Sequence, residues 1–310
     1  MQSFAIFFRS YGILVVTVGL FVLLALSTDG FLTFRNMRNI LDQQSTVLIA
    51  ACFMTMAIIS GNFDVSAAAV YIAAPLVALV VENATGSIPI SILVGLATGF
   101  AMGLFNGLVV TRLGVNSFIA TLASSFMFFG IGYLVSGRSI IRPETAEWRH
   151  IARTRIFELT TSTWFAVIIV IIAMVLLHRT RFGRNVYACG ANREAARLAG
   201  VNVSRVQVQT FVMLAVASAF AGILTASRTI SAQPSDDFSF VFAVLTAVIV
   251  GGTSIAGGQG AIWRTVVAVF FLAFLTNGFN LHQIDPIWQR LIEGIVILLA
   301  VSVDAWTQRR

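Results

Sequence analysis

The groups in this chain that could do chemistry are few. Their densest run is Asn192-Arg193-Glu194-Ala195-Ala196-Arg197-Leu198-Ala199-Gly200, inside an arginine-rich stretch from Arg179 to Arg205. Asn192 is placed to cap the start of a short helix and Gly200 to end it, with about seven residues between them. At about 100° per residue, Ala195, Leu198 and Ala199 share one face. Arg193 and Arg197 stack on another at i,i+4. A helix under two turns does not hold together alone in water, so a partner surface must complete it. A small-residue face rimmed by arginines suits a cleft on a separate protein.

A second set of polar groups lies among apolar residues. Asp64 is the ionisable side chain most exposed to membrane depth, where an unpaired charge costs roughly 2.5–3.5 kcal/mol. Either Asp64 or Ser66 caps a helix beginning near Ala67, or Asp64 lines an aqueous pathway, and both can hold together. Asn106, Thr121, Asn277 and Asn280 are interhelical hydrogen-bonding groups or contacts for a hydroxyl-rich solute. Glu293 and Arg290 form a local ion pair one turn apart. Trp288 and Gln289 follow Pro286 as an interfacial anchor.

Several chemistries are excluded. All 20 basic residues are arginine and lysine is absent, so there is neither a phosphate-binding Walker lysine nor a Schiff-base amine. His150, His178 and His282 have no metal-ligand spacing, and no metal site is expected. Cys52 and Cys189 give no disulfide framework, and Cys52 reads as a small core hydrophobe. No nucleophile–base pair or carboxylate pair marks an enzyme. The net charge of +7 comes from arginines scattered between apolar spans, which is membrane topology rather than a nucleic-acid footprint.

The elements that must position these groups are membrane helices. The chain has 310 residues, 58% hydrophobic and 11% charged, against roughly 25% charged in a soluble domain. Apolar runs of about 17–25 residues, the length that crosses a bilayer core, recur along it. The expectation is an all-α polytopic protein forming one membrane domain over residues 1–310, with about ten crossings. They fall near 11–28, 45–60, 66–83, 88–111, 116–136, 163–178, 206–228, 238–251, 261–281 and 287–304. The first is read as a retained helix rather than a cleaved signal. Glycine-bearing interruptions at 59–66 and 250–258 follow the second and eighth spans. Such pairs point to duplicated transporter halves around a central pathway. Gly95, Gly99, Gly103 and Gly107 line one face of the fourth span and invite close helix packing. An even number of crossings puts both termini on one side, with 11 arginines there and 9 opposite, too small a bias to fix orientation. The segment 137–162 carries five arginines on the arginine-poorer side. It is either an ordered external loop or a sign that the topology fails there.

Several stretches, in order and over nearly the whole chain, resemble the permease subunits of bacterial ABC importers for monosaccharides of the ribose/arabinose/xylose/galactose group. The segment Thr180 to Val201 is similar to that group's cytoplasmic coupling segment, placed here at about 179–205. Gly251-Gly252-Thr253-Ser254-Ile255-Ala256-Gly257-Gly258-Gln259-Gly260 matches its late glycine motif. Phe105-Asn106-Gly107, Phe118-Ile119-Ala120-Thr121-Leu122, Thr276-Asn277-Gly278 and the ending Leu298 to Asp304 match further. The resemblance implies that Asn192, Arg193, Glu194, Ala195, Ala196, Arg197, Leu198 and Gly200 seat on a separate ATPase subunit. ATP and Mg would bind that subunit, and no cofactor this chain. It further implies a second permease subunit, identical or paralogous, and a periplasmic sugar-binding protein. The chain would then be a multi-pass protein of the bacterial inner membrane with both termini cytoplasmic, and Asp64, Asn106, Thr121 and Asn277 would line the translocation pathway. Two departures stand out: Gly61 to Ala68 reads G-N-F-D-V-S-A-A where the group has G-G-I-D-L-S-V-G, and Ser117 replaces the proline before F-I-x-T-L. An ion-coupled secondary transporter of a small polar solute is the alternative, with a membrane enzyme behind it. Neither the sugar nor homodimer against heterodimer is written in the sequence.

Overall fold

The computed structural model describes residues 2–289 together with 291, 292, 294, 295 and 298. Its helices are α1 (Gln2–Ser27), α2 (Phe34–Ile59), α3 (Ala67–Thr85), α4 (Ile88–Arg112), α5 (Ser117–Ser136), α6 (His150–Arg153), α7 (Thr161–Arg179), α8 (Arg181–Ala191), α9 (Arg193–Leu198), α10 (Val203–Thr229), α11 (Ser239–Val250) and α12 (Ile262–Leu281). A 3-10 turn at Ala146–Arg149 and a two-residue hairpin, β1 (Arg155–Ile156) with β2 (Leu159–Thr160), complete the segment between α5 and α7. The chain is an all-α polytopic membrane protein. Among the described residues, seven helices (α2, α3, α4, α5, α7, α10 and α12) are long and apolar enough to cross a bilayer, beside shorter apolar helices at Tyr11–Ser27 and Ser239–Val250.

Helix ends follow local chemistry. Thr33, Asn116, Thr160 and Asn202 each accept a backbone N–H of the first turn they precede. Gly86 and Gly137 end α3 and α5 in the left-handed conformation at φ 64° and 59°, which a glycine adopts without steric penalty. The helices α2, α3 and α10 are the most enclosed. Around them pack α4, α5, α7, α11 and α12, while α1 lies against α12 through Phe21, Phe31 and Phe274 edge contacts.

Glycine brings α4 onto α10. A Cβ on Gly99 would lie 2.6 Å from the Ala219 Cβ, and one on Gly103 would lie 2.6 Å from the Ala215 Cβ and 2.8 Å from the Phe211 carbonyl. Gly107 faces Val208, and Gly95 faces Ile223 and Ala78. The stripe is a backbone-to-backbone seam of the kind small residues permit. A second close approach follows from Pro75 inside α3. Proline lacks the N–H that the Tyr71 carbonyl would accept, and Gly222 of α10 closes directly on that carbonyl.

Two expectations are revised, and one of two alternatives is decided. The second span begins at Phe34, not 45, because two polar side chains of its first third find partners in the segment leading into α7. Arg38 pairs with Glu158 at 3.1 Å, and Asp42 accepts the Thr160 and Thr163 hydroxyls at 2.7 and 2.6 Å. The eighth span, α11, has twelve residues, which is about 18 Å of helix and short of a bilayer core of roughly 30 Å. The segment 137–162 is ordered: Trp148 is fully buried, and Ser227 of α10 donates to the Trp148 carbonyl and accepts the Ala152 N–H. Of the tenth span, the turn from 286 is described; the Glu293–Arg290 pair and most of 298–304 lie outside the described residues.

Contacts of Gly258 with the Ile59 carbonyl and of Arg193 with the Gly61 carbonyl bring the connections 60–66, 180–202 and 251–261 to one end of the bundle, and 137–160, held by Glu82 and Ser227, caps the other.

Candidate coupling site

The site is built on α8 and α9, between α7 and α10. Thr180 caps α8 through its hydroxyl, which accepts the Gly183 N–H at 3.2 Å. Gly183 lies against the Leu177 carbonyl, so α8 turns sharply off α7. Val186 and Cys189 are buried with Cys52, Met56 and Ile59 of α2. Burial pushes the Tyr187 hydroxyl and the Cys189 thiol above their ordinary pKa values, against the nearby charges of Arg264 and Arg193 respectively.

The helix α9 is capped at both ends. The Asn192 Oδ1 accepts the Ala195 N–H at 2.9 Å. Gly200, at φ 83°, donates to the Arg197 carbonyl, and Val201 N–H reaches back to the Ala196 carbonyl, each at 3.0 Å. That pairing closes orphan carbonyls at the helix end. Ala196 is the one buried residue of α9. Ala195, Ala199 and Glu194 are exposed, and Leu198 is 81% exposed. Nothing in the described chain covers this small apolar face. Arg197 lies 4.0 Å from Glu194 in an exposed pair, which contributes little to stability. Arg193 does not share a rim with Arg197. Its guanidinium turns inward and donates to the Gly61 carbonyl at 2.9 Å.

Three glycine-bearing segments meet here. A Cβ on Gly190 would overlap the Ile59 carbonyl oxygen and sit 2.5 Å from the Gly258 nitrogen. That same Ile59 carbonyl, left without a helical partner at the end of α2, accepts the Gly258 N–H at 2.8 Å. Gly257, at φ 90°, presses on the Gly190 carbonyl and the Gly61 Cα. The Tyr187 hydroxyl donates to the Gly260 carbonyl at 2.8 Å. The two interruptions of the sequence thus touch one another, and α8 holds both.

Next to this junction, Asp64, Asn106 and Thr121 come together around the connection from α2 to α3, all fully or almost fully buried. The Asp64 Oδ1 accepts the Ser66 N–H at 2.9 Å and the Ser66 hydroxyl at 2.5 Å. Asn106 donates to the same hydroxyl at 2.6 Å. Thr121 accepts the Val65 N–H, and Ser117 accepts the Phe63 N–H, both at 3.0 Å. Asp64 therefore shapes the turn ahead of α3, and Ser66 at the cap position makes no capping bond. Asn277 lies elsewhere, exchanging reciprocal amide bonds of 2.9 Å with Asn36. An open cleft of about 440 Å³ runs between α2, α11 and α12, with Gln44, Phe242, Thr246 and Thr276 on its walls. None of the four expected pathway residues lines it.

Sequence reasoning missed two features. Glu82, fully buried, accepts the Glu144 and Thr145 N–H groups at 3.1 and 3.0 Å and so anchors the far loop. The inward turn of Arg193 was also unforeseen.

A family model described as branched-chain amino acid transport system / permease component matches residues 36–301. The chain is 37% identical over 307 residues to the L-arabinose transport system permease protein AraH of Escherichia coli, covering 99% of this chain and 94% of that protein. It is 32% identical to the ribose import permease protein RbsC of Escherichia coli, over 93% of this chain and 92% of the relative. It is also 32% identical to the galactose/methyl galactoside import permease protein MglC of Escherichia coli, over 98% and 96%. No solved structure matches.

Proposed function

The chain belongs to the family described as branched-chain amino acid transport system / permease component, and from that premise we propose that it is the membrane-spanning permease subunit of an ABC-type monosaccharide importer. The sugar class rests on the arabinose, ribose and galactose permeases it is similar to. The observation that carries the mechanism is α9, a doubly capped helix of six residues that exposes Ala195, Leu198 and Ala199 at one end of the bundle.

In this reading a separate ATPase subunit binds ATP and Mg and takes that face in a cleft, with Glu194 at its edge. A lysine-free chain has no phosphate-binding lysine of its own, which agrees with hydrolysis on another polypeptide. The α8–α9 end faces the cytoplasm of a bacterial inner membrane, with both termini on that side. The opposite end, where Arg138, Arg142, Arg149, Arg153 and Arg155 are all exposed, receives a periplasmic sugar-binding protein. A second permease subunit, like or unlike this one, completes the pathway. Within this chain, Gln44, Thr246 and Thr276 on the cleft walls offer amide and hydroxyl groups to a hydroxyl-rich solute. Asp64, Asn106 and Thr121, buried in the present conformation, hold the α2–α3 connection beside that path.

The test is reconstitution in proteoliposomes with the ATPase and binding protein encoded beside it. Uptake of labelled L-arabinose, ribose or galactose should require ATP and both partners. Uptake that survives omission of the ATPase and collapses with a proton uncoupler would overturn the reading.

A further inference from the structure

We infer that α8, the end of α2 and the turn at 257–260 form one rigid joint that carries displacement of α9 into both glycine interruptions at once. The inference rests on the permease reading and adds to it the residues that transmit the stroke. Gly190, Gly258, Arg193 and Tyr187 are assigned as positioning residues, since none faces the ATPase cleft or the solute.

Where side chains meet, a displacement is absorbed by rotamer changes. At this joint, backbone meets backbone. Gly190 leaves no room for even a Cβ between α8 and the Ile59 carbonyl. The Gly258 N–H closes on that same carbonyl, and a Cβ on Gly257 would lie 3.1 Å from the Gly190 carbonyl oxygen and 3.2 Å from the Gly61 Cα. Two side chains brace it, Arg193 on the Gly61 carbonyl and Tyr187 on the Gly260 carbonyl. Arg193 is the first residue of α9 itself, so the docking helix is tied directly to the segment that continues into Asp64 and α3. The other tie leads through 251–260 into α11 and α12, which with α2 wall the open cleft. A packed contact of this kind moves as a unit or not at all.

The measurement is sugar imported per ATP hydrolysed, in the reconstituted complex, with whichever of L-arabinose, ribose or galactose the wild type imports. Arg193→Ala and Tyr187→Phe remove a brace without adding volume. Each should lower the ratio severalfold while hydrolysis continues, and Arg193→Lys, which still donates, should recover part of it. Gly190→Ala should lower it tenfold or more; if that variant fails to insert, the two brace variants decide. Wild-type ratios in both brace variants would overturn the inference. A wild-type complex showing no ATP-dependent import removes the functional reading, and the inference falls with it.

Discussion

At the α8–α9 end, Gly61, Gly190, Gly257 and Gly258 bring main chains into direct contact. At the opposite end, side chains reach main chains: Glu82 holds the N–H groups of residues 144 and 145, and Ser227 holds Trp148 and Ala152. Asp42 gathers two threonine hydroxyls, and its own carbonyl accepts from Arg228 at 2.8 Å. The two ends are joined by α10, 27 residues or about 40 Å long. One end is stiff because nothing intervenes between backbones. The other is fixed because the buried Glu82 and Ser227 side chains take main-chain partners from it. In the proposed reading the first design transmits motion, and the second holds a loop in place for the binding protein.

The largest effect is expected where glycine packing lies away from the joint. Gly103→Leu would force α4 off Ala215 and Phe211 and should cost more than about 3 kcal/mol, the upper range for overpacking. It should be seen as loss of folded protein in detergent, with no selective effect on coupling. Glu82→Ala comes next. It leaves the Thr145 N–H without its buried acceptor, at roughly 1–3 kcal/mol, while the Glu144 N–H keeps the Asn83 Oδ1 at 3.1 Å. The unfolding midpoint in detergent should drop clearly while sugar moved per ATP stays unchanged. A loss of coupling instead would show that the far end also takes part in the stroke. Ser227→Ala should follow in kind at about 1–2 kcal/mol, since it orphans the Ala152 N–H. Asp64→Asn should cost the least, within about 1 kcal/mol. The amide keeps the acceptor for Ser66, and its NH2 replaces the Asp64 Oδ2, a buried oxygen without a partner. Asp64→Leu should cost several times more, because Ser66 and Asn106 then lose their anchor. Equal stability of the two variants would remove Asp64 as the organiser of this connection.

The architecture was legible because bilayer length leaves a plain mark on a sequence. The caps at Asn192 and Gly200 were legible because they are local. What escaped was non-local. The α8 helix carries Gly183 and Gly190 and a polar start, so its propensity is poor, and packing against α2 makes it a helix. Arg35, Arg38 and Asp42 lowered the apparent hydropathy of α2, although Thr33 already marked its start. Glu82, near the end of a span, reads as an ordinary boundary residue; only the fold shows that 144–145 return to it. Asn277 joined the pathway set by residue type, yet it pairs with Asn36 across a sequence gap no local pattern reports. The two departures from the importer pattern, at 61–68 and at Ser117, turn out to be neighbours: Ser117 accepts the Phe63 N–H, a bond to a hydroxyl that proline cannot supply.

The most direct test places a photo-crosslinking residue at Leu198, 81% exposed on α9, in the assembled complex within intact cells. The account predicts that illumination joins this chain to the nucleotide-hydrolysing subunit, and that Glu194→Arg weakens the adduct without lowering the amount of permease in the membrane. Labelling of position 198 by a membrane-impermeant reagent from the periplasmic side, or an adduct with any protein other than the ATPase, would contradict it.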